Sequence, residues 1–189
     1  FCDPVQEGFD VCLQPAVNAV GTLEKVDVLP LRRLIVATPN YIEKHGLPQR
    51  PKDLKSHNFA HNHLIEPDCN IRLLDGRRAT TVTIDPNILT NTVWMLRAAV
   101  MRGTHMAMMP AFFIEKELVS GKLVPILPQS RIQCAQLSAF YGRSPYVPMK
   151  VRIFINFLRR KPGDFPSWER RILEKRPELS KALGPDATS

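Results

Sequence analysis

The chain reads as an α/β protein, and three stretches of it carry that reading. LPLRRLIVATPNYIEKHGLPQRP at 29–51 joins a short strand of branched apolar residues directly to a capped helix. Residues 71–84 alternate apolar and polar positions around an Asp-Gly turn, the signature of a hairpin. Between 90 and 128 an apolar helix, a Gly, a strand, a Pro and a second helix follow one another. Strands alternating with helices pack as layers of helix on sheet.

In chain order, Phe9 to Leu13 is a first short strand, and a Pro- and Gly-punctuated connection leads to a second around Val26 to Leu29. Arg33 to Ala37 is apolar enough to be covered on both faces. Thr38 then serves as N-cap, Pro39 takes the first helical position, and Gly46 stops the helix. That helix start turns backbone N–H groups and a positive dipole end toward whatever lies beyond the strand, which suits a carboxylate; an ordinary strand-to-helix connection has the same sequence. Pro51 to Leu54 begins a brief helix, and 55–70, rich in Asn, His and Pro, reads as irregular. Asp75-Gly76 is the two-residue turn between strands Ile71–Leu74 and Thr80–Ile84.

Asn91 is the expected N-cap of a helix running to Arg102, with Val93, Leu96 and Val100 on its apolar stripe and Gly103 as its stop. Strand His105–Met109 gives way at Pro110 to a helix that Gly121 ends. Leu123–Leu127 and Leu137–Tyr141 are strands, and Pro148 opens a helix in which Val151, Phe154, Ile155 and Leu158 recur at helical spacing. Beyond Pro162, Ser167 caps a short helix carrying Trp168, Ile172 and Leu173, which breaks at Pro177. The expectation for 162–189 is that helix, covering apolar surface of its own domain or a neighbour, followed by disorder through GPDATS.

At 189 residues and 44% hydrophobic the chain can bury the core of one domain or two lobes. Net charge is +8 and the pI about 9.6, which favours polyanionic surroundings. Yet Arg77, Arg78, Arg143, Arg152, Arg159, Arg160 and Lys161 are spread along the chain with no recognition helix or aromatic platform, so DNA contact is not assigned to this segment. Cys2, Cys12, Cys69 and Cys134 are scattered, as in a reducing compartment. His57, His61 and His63 cluster ahead of Cys69, but the spacing fits no closed metal site, and no cofactor is expected. No apolar run reaches membrane-spanning length, so no membrane association is expected. No nucleophile elbow, zinc-protease motif, phosphate loop or dinucleotide fingerprint is present, and enzyme activity is not expected.

Five blocks stand in a telling order: EGFDVCL at 7–13, the 29–51 stretch, DGRRATTVTID at 75–85, TNTVWMLRAAVMRGTHMAMMPAFFIEKELVSGKLVPILP at 90–128, and LSAFYGRSPYVPMKVRIFINFLRR at 137–160. Over about residues 3–161 this series resembles the effector-binding domain of LysR-type transcriptional regulators. The resemblance implies two α/β lobes like those of type 2 periplasmic solute-binding proteins, the first from about 1–31 and 138–161, the second from about 32–137. It also implies that the first lobe is incomplete: its opening strand and helix would precede Phe1, as would a DNA-binding winged helix-turn-helix. A lobe with an open edge is expected to be poorly soluble.

By the same resemblance the whole protein is a cytoplasmic homodimer or homotetramer that binds DNA through the missing domain. A small effector in the cleft would shift lobe closure or subunit arrangement and so alter promoter binding. The residues matching the family's cleft positions are Thr38 and Pro39, Asn91 and Thr92, and Met109, Pro110 and Phe112. Phe140, with Tyr141, either walls the cleft or packs in the core. Thr92 and Ala111-Phe112 stand where many relatives have acidic residues, so the cleft should be more apolar than usual and suit an aromatic or hydrophobic carboxylate. The rival is a secreted two-lobe solute-binding protein, which would carry a signal peptide and no DNA-binding domain.

Overall fold

The computed structural model describes residues 3–16, 21–75, 78–133, 135–160 and 166–184. Its opening is a set of turns, with the Asp3 carboxylate accepting from the Val5 and Gln6 N–H groups at 2.9 and 3.3 Å. The first strand, β1, is therefore Cys12–Ala16 and starts three residues later than the sequence suggests, where pairing to a partner strand begins. β2 is Leu23–Leu31 and β3 is Arg33–Ala37, every residue of β3 being buried. α1, Pro39–His45, starts as expected: Thr38 Oγ1 accepts from Tyr41 N at 3.3 Å. It ends at Gly46, whose φ of 81° favours a residue without a side chain.

A 3-10 turn, Pro51–Ser56, precedes β4, Phe59–Asn62. β4 corrects the expectation of an irregular 55–70: four residues become a strand through parallel pairing on both sides, a non-local cause. β5 (Asn70–Asp75) and β6 (Arg78–Thr83) form the expected hairpin. Asp75 pairs with Arg78, and the expected Asp75-Gly76 turn lies partly outside the described residues.

β7 is Ile88–Thr90 and α2 is Val93–Met101. The N-cap of α2 is Thr92, not Asn91: Thr92 Oγ1 accepts from Trp94 N at 3.3 Å, and Asn91 is exposed. Next come β8 (Met106–Pro110), a 3-10 turn (Ala111–Phe113), α3 (Glu115–Val119), β9 (Val124–Ile126), β10 (Arg131–Ile132) and β11 (Ala135–Gly142). α4 is Met149–Arg160, α5 is Ser167–Lys175, and a 3-10 turn at Pro177–Leu179 leads into α6, Ser180–Leu183.

The chain divides into two compact units. The first, Phe1–Leu31 with Cys134–Pro166, is a three-stranded antiparallel sheet in the order β1-β11-β2. Val28 and Ala139 of the sheet pack with Val151 and Ile155 of α4. Phe154, expected on the buried stripe, is 42% exposed; the helix instead turns Val151, Ile155 and Leu158 inward.

The second unit, Arg32–Gln133 with Ser167–Ser189, is built on a five-stranded sheet in the order β7-β4-β8-β3-β9. β4 runs parallel to β7 and β8, whereas β3 runs antiparallel to β8 and β9. On one face Leu34, Val36, Ala107 and Met109 pack with Leu96 and Val100 of α2, Leu118 of α3, and Ile172, Leu179 and Leu183 of the C-terminal segment. On the other, Ile35, Ala37, Met106 and Met108 meet Tyr41, Leu54 and the second sheet, β10-β5-β6, through Ile71, Val82 and Ile132.

The C-terminal extension differs from the expectation of a helix followed by disorder. Order continues through Gly184, because Leu179, Ala182 and Leu183 are buried in the second unit's core; positions 185–189 lie outside the described residues. Polar contacts fix the segment along its length. Arg32 Nη1 donates to Glu169 Oε2 at 2.7 Å, Arg171 pairs with Glu115, Arg176 Nη1 donates to Leu118 O at 3.1 Å, and Arg131 donates to Gly184 O. Burial pushes the Glu169 carboxyl up to about 7, against the pull of Arg32 and Arg131.

Candidate ligand-binding site

Strand direction decides which junctions share an edge of the central sheet. β4, β7 and β8 are parallel, so Asn62, Thr90 and Pro110 at their carboxyl ends lie together, and α2 starts beside them. β3 runs the other way: Arg33 at its start pairs with Pro110, and its far end lies at the opposite edge. In open α/β sheets ligands sit at the carboxyl ends of the parallel strands.

At that edge is a shallow depression of about 40 Å³. Ile65, Val93, Leu96, Met108 and Pro110 form its apolar wall, and Arg33, His61, Asn62 and Glu66 its polar part. Arg33 is 7% exposed. Its Nη2 donates to Glu66 Oε1 at 2.8 Å and to Gln133 O at 3.1 Å. Among the described residues the Arg33 Nε and Glu66 Oε2 atoms, both buried, have no hydrogen-bond partner. The ion pair thus closes through one carboxylate oxygen and leaves Nε and Oε2 outside it.

The loop after β4 is held in shape to present these groups. Asn62 Oδ1 accepts from Leu64 N at 3.1 Å, and His61 Nε2 lies 2.7 Å from Glu66 O. A carbonyl only accepts, so that ring nitrogen carries the proton. On the other wall α2 turns Val93 and Leu96 toward the depression, while Trp94 stands edge-on to Phe113 at 4.7 Å.

Of the residues the sequence put forward, Pro110 lines the depression, and Asn91 and Thr92 stand at the same edge just before Val93. Met109 is fully buried in the core, and its neighbour Met108 lines the depression instead. Phe112 packs edge-on to Trp168, with ring centroids 6.1 Å apart. Thr38 and Pro39 are not brought to this edge. A Cβ added to Gly103, just past α2, would stand 3.2 Å from Thr38 Oγ1, which places Thr38 at the opposite end of the sheet. Phe140 belongs to the first unit and is fully buried, so it presents no free surface. Thr38→Val is accordingly expected to cost about 1 kcal/mol of stability through the lost cap. Ligand affinity at the depression should stay unchanged, as paired urea melts and ligand titrations would show.

Arg33, Asn62 and Glu66 are the lining residues that sequence reasoning passed over, while His61 was weighed only as a metal donor. The available signal was a charged residue heading an otherwise apolar strand, together with a loop dense in His, Asn and Glu. The histidines do not converge on a metal. His57 Nδ1 lies 3.1 Å from the Tyr41 hydroxyl, with its pKa lowered by burial and then by His45, and His63 Nδ1 lies 3.0 Å from Thr90 O. Among the described residues no group of three or more His, Cys, Asp or Glu side chains could hold a metal ion.

The fold is the two-lobed, periplasmic-binding-protein-like α/β fold of LysR-type regulatory domains. Residues 1–163 match the LysR substrate binding domain, and the chain belongs to that family. It is 29% identical over 169 residues to the HTH-type transcriptional regulator PtxR of Pseudomonas aeruginosa, covering 88% of this chain and 53% of that protein. It is 24% identical over 159 residues to the HTH-type transcriptional activator AaeR of Escherichia coli, covering 82% and 50%. Among solved structures, the CrgA regulatory domain of Neisseria meningitidis aligns with a TM-score of 0.69 at 23% identity, over 84% of this chain and 78% of that one. The regulatory domain of AphB from Vibrio vulnificus aligns at 0.66 and 23%, over 83% and 76%. The chain spans about half the length of the curated relatives it matches. These relatives are transcriptional regulators, and the solute-binding alternative finds no support among them.

Proposed function

We propose that the chain is the ligand-sensing part of a LysR-type transcriptional regulator and that a small apolar molecule binds at the depression beside α2. The observation that supports this best is the depression itself, at the carboxyl ends of β4 and β8, with an apolar wall and a few polar groups. That is the usual composition of a small-molecule site. Effector binding changes the arrangement of a homodimer or homotetramer, and with it promoter binding through a winged helix-turn-helix encoded outside this chain. The protein works in the cytoplasm as a regulator and catalyses no reaction. Among the described residues no helix is long and apolar enough to cross a membrane.

The carboxylate preference expected from the α1 start loses its basis, since that start is at the far edge and the helix has only seven residues. The hydrophobic or aromatic body of the expected effector is retained, matched by Ile65, Val93, Leu96 and Met108.

Two experiments test the reading. The coding region upstream of Phe1 should encode a winged helix-turn-helix and linker helix; a signal peptide there would make the protein a secreted solute-binding protein. In the intact regulator Val93→Phe, which fills the depression from its half-buried wall, should abolish the transcriptional response to an inducer while leaving basal promoter binding intact. An unchanged half-maximal inducer concentration in that variant would move the site elsewhere.

A further inference from the structure

We propose that the C-terminal extension, residues 167–184, is a clamp on the places where the chain passes between its two units, and that it sets how stiffly the chain is held there. Arg32, Arg131, Glu169 and the Gly184 carbonyl are its polar parts.

The chain changes unit three times: between Leu31 and Arg32, between Gln133 and Cys134, and between Pro166 and Ser167, where the extension begins. The extension grips the second-unit side of the other two. At the first, Arg32 Nη1 donates to Glu169 Oε2 at 2.7 Å, with both side chains buried. The Arg32 backbone is held as well, its carbonyl accepting from Ala111 N at 2.9 Å. Two residues before the second, Arg131 donates to Gly184 O, and its charge also acts on the Glu169 carboxylate. A Cβ at position 184 would run into Ser180 O, so glycine lets the chain end its last turn where that carbonyl meets Arg131. The two crossings are further tied to each other, since Arg33 Nη2 donates to Gln133 O at 3.1 Å.

Covering a core needs none of these groups, and Ile172, Leu179 and Leu183 already cover it. A buried ion pair adds little net stability over apolar packing, and its best-attested use is to fix one arrangement against others. On the ligand-sensing reading above, an effector that rearranges the units turns the chain at these crossings and works against the clamp.

Hydrogen exchange of the whole chain, read segment by segment by mass spectrometry, tests the clamp without any effector. Arg131→Met removes the donor to Gly184 O at nearly constant length, and Arg131→Lys keeps a donor. Ile172→Val thins the same core but leaves every polar anchor in place. Arg131→Met is expected to speed exchange at 31–33 and 132–136 at least about tenfold while α1 and α2 change less than about twofold. Arg131→Lys should restore most of the protection, and Ile172→Val should speed the crossings and α2 by the same factor. Arg131→Met acting equally on the crossings and α2, or leaving the crossings unchanged, would overturn the proposal, as would a lysine variant as fast as the methionine one. Because no effector enters the experiment, its failure leaves the ligand-sensing reading intact, and failure of that reading leaves the exchange result standing.

Discussion

Glu169→Ala is expected to lower the unfolding free energy of the second unit by about 3–5 kcal/mol at pH 8, the usual effect of removing one partner from a buried ion pair. Arg32 and Glu169 are 6% and 1% exposed, and the pair ties the extension to the start of β3. Arg32→Met combined with Glu169→Leu should recover most of the loss, because a buried pair exchanged for apolar side chains of similar volume is close to neutral. Urea midpoints of the single and double variants decide the matter; a double variant as unstable as the single would mean the cost came from packing instead.

The same carboxyl gives a pH dependence whose sign is opposite to that of an ordinary surface carboxylate. Its folded pKa, about 7, lies above the ordinary 4.5, because burial outweighs the attraction of Arg32. The folded state therefore favours the protonated form. Its contribution to stability is fully present below 4.5 and is lost as pH rises through about 7. Comparing Glu169→Gln with the native chain at pH 5 and pH 8 isolates this: the native chain should lose stability between the two, and the variant should lose less.

A chain ended at Pro166 is expected not to fold its second unit. Ile172, Leu179 and Leu183 are each fully buried against that core. At about 1.5–3 kcal/mol per large side chain, their loss removes roughly 5–9 kcal/mol, comparable with the whole stability of a typical domain. The deletion also exposes the apolar surface they cover and removes the carboxylate facing Arg32. Dispersed amide resonances and a native-like thermal transition in the shortened chain would contradict this. The family match stops at residue 163, yet the packed core runs to Leu183.

Local signals were dependable wherever the deciding physics was local. β3 and α1 fall where the sequence put them, since the apolar run, the Thr38 cap, Pro39 and Gly46 act within a few residues of one another. Where two neighbours have equal chemistry the sequence does not choose. Asn91 and Thr92 are both good caps, and only the backbone leaving β7 selects Thr92. β4 and β7 were illegible because their pairing partners are distant in sequence.

The site was half legible for the same reason. Pro110 and the start of α2 announce themselves, but Arg33 and Glu66 are 33 residues apart and meet only through tertiary structure. Thr38 was drawn into the site because a strand-to-helix junction shows nothing in its sequence of which way its strand runs.

The reversed β3 gives the second unit two ends with separate fates. At one end lie Arg33, Pro110 and the walls of the depression; at the other lie Thr38, α1 and the stop of α2. Changes that accumulate around α1 can therefore drift with surface and solubility demands while specificity stays where it is. A new specificity can be acquired at the Arg33 end without re-engineering the capping that folds the strand. A library aimed at new inducers should be confined to that end.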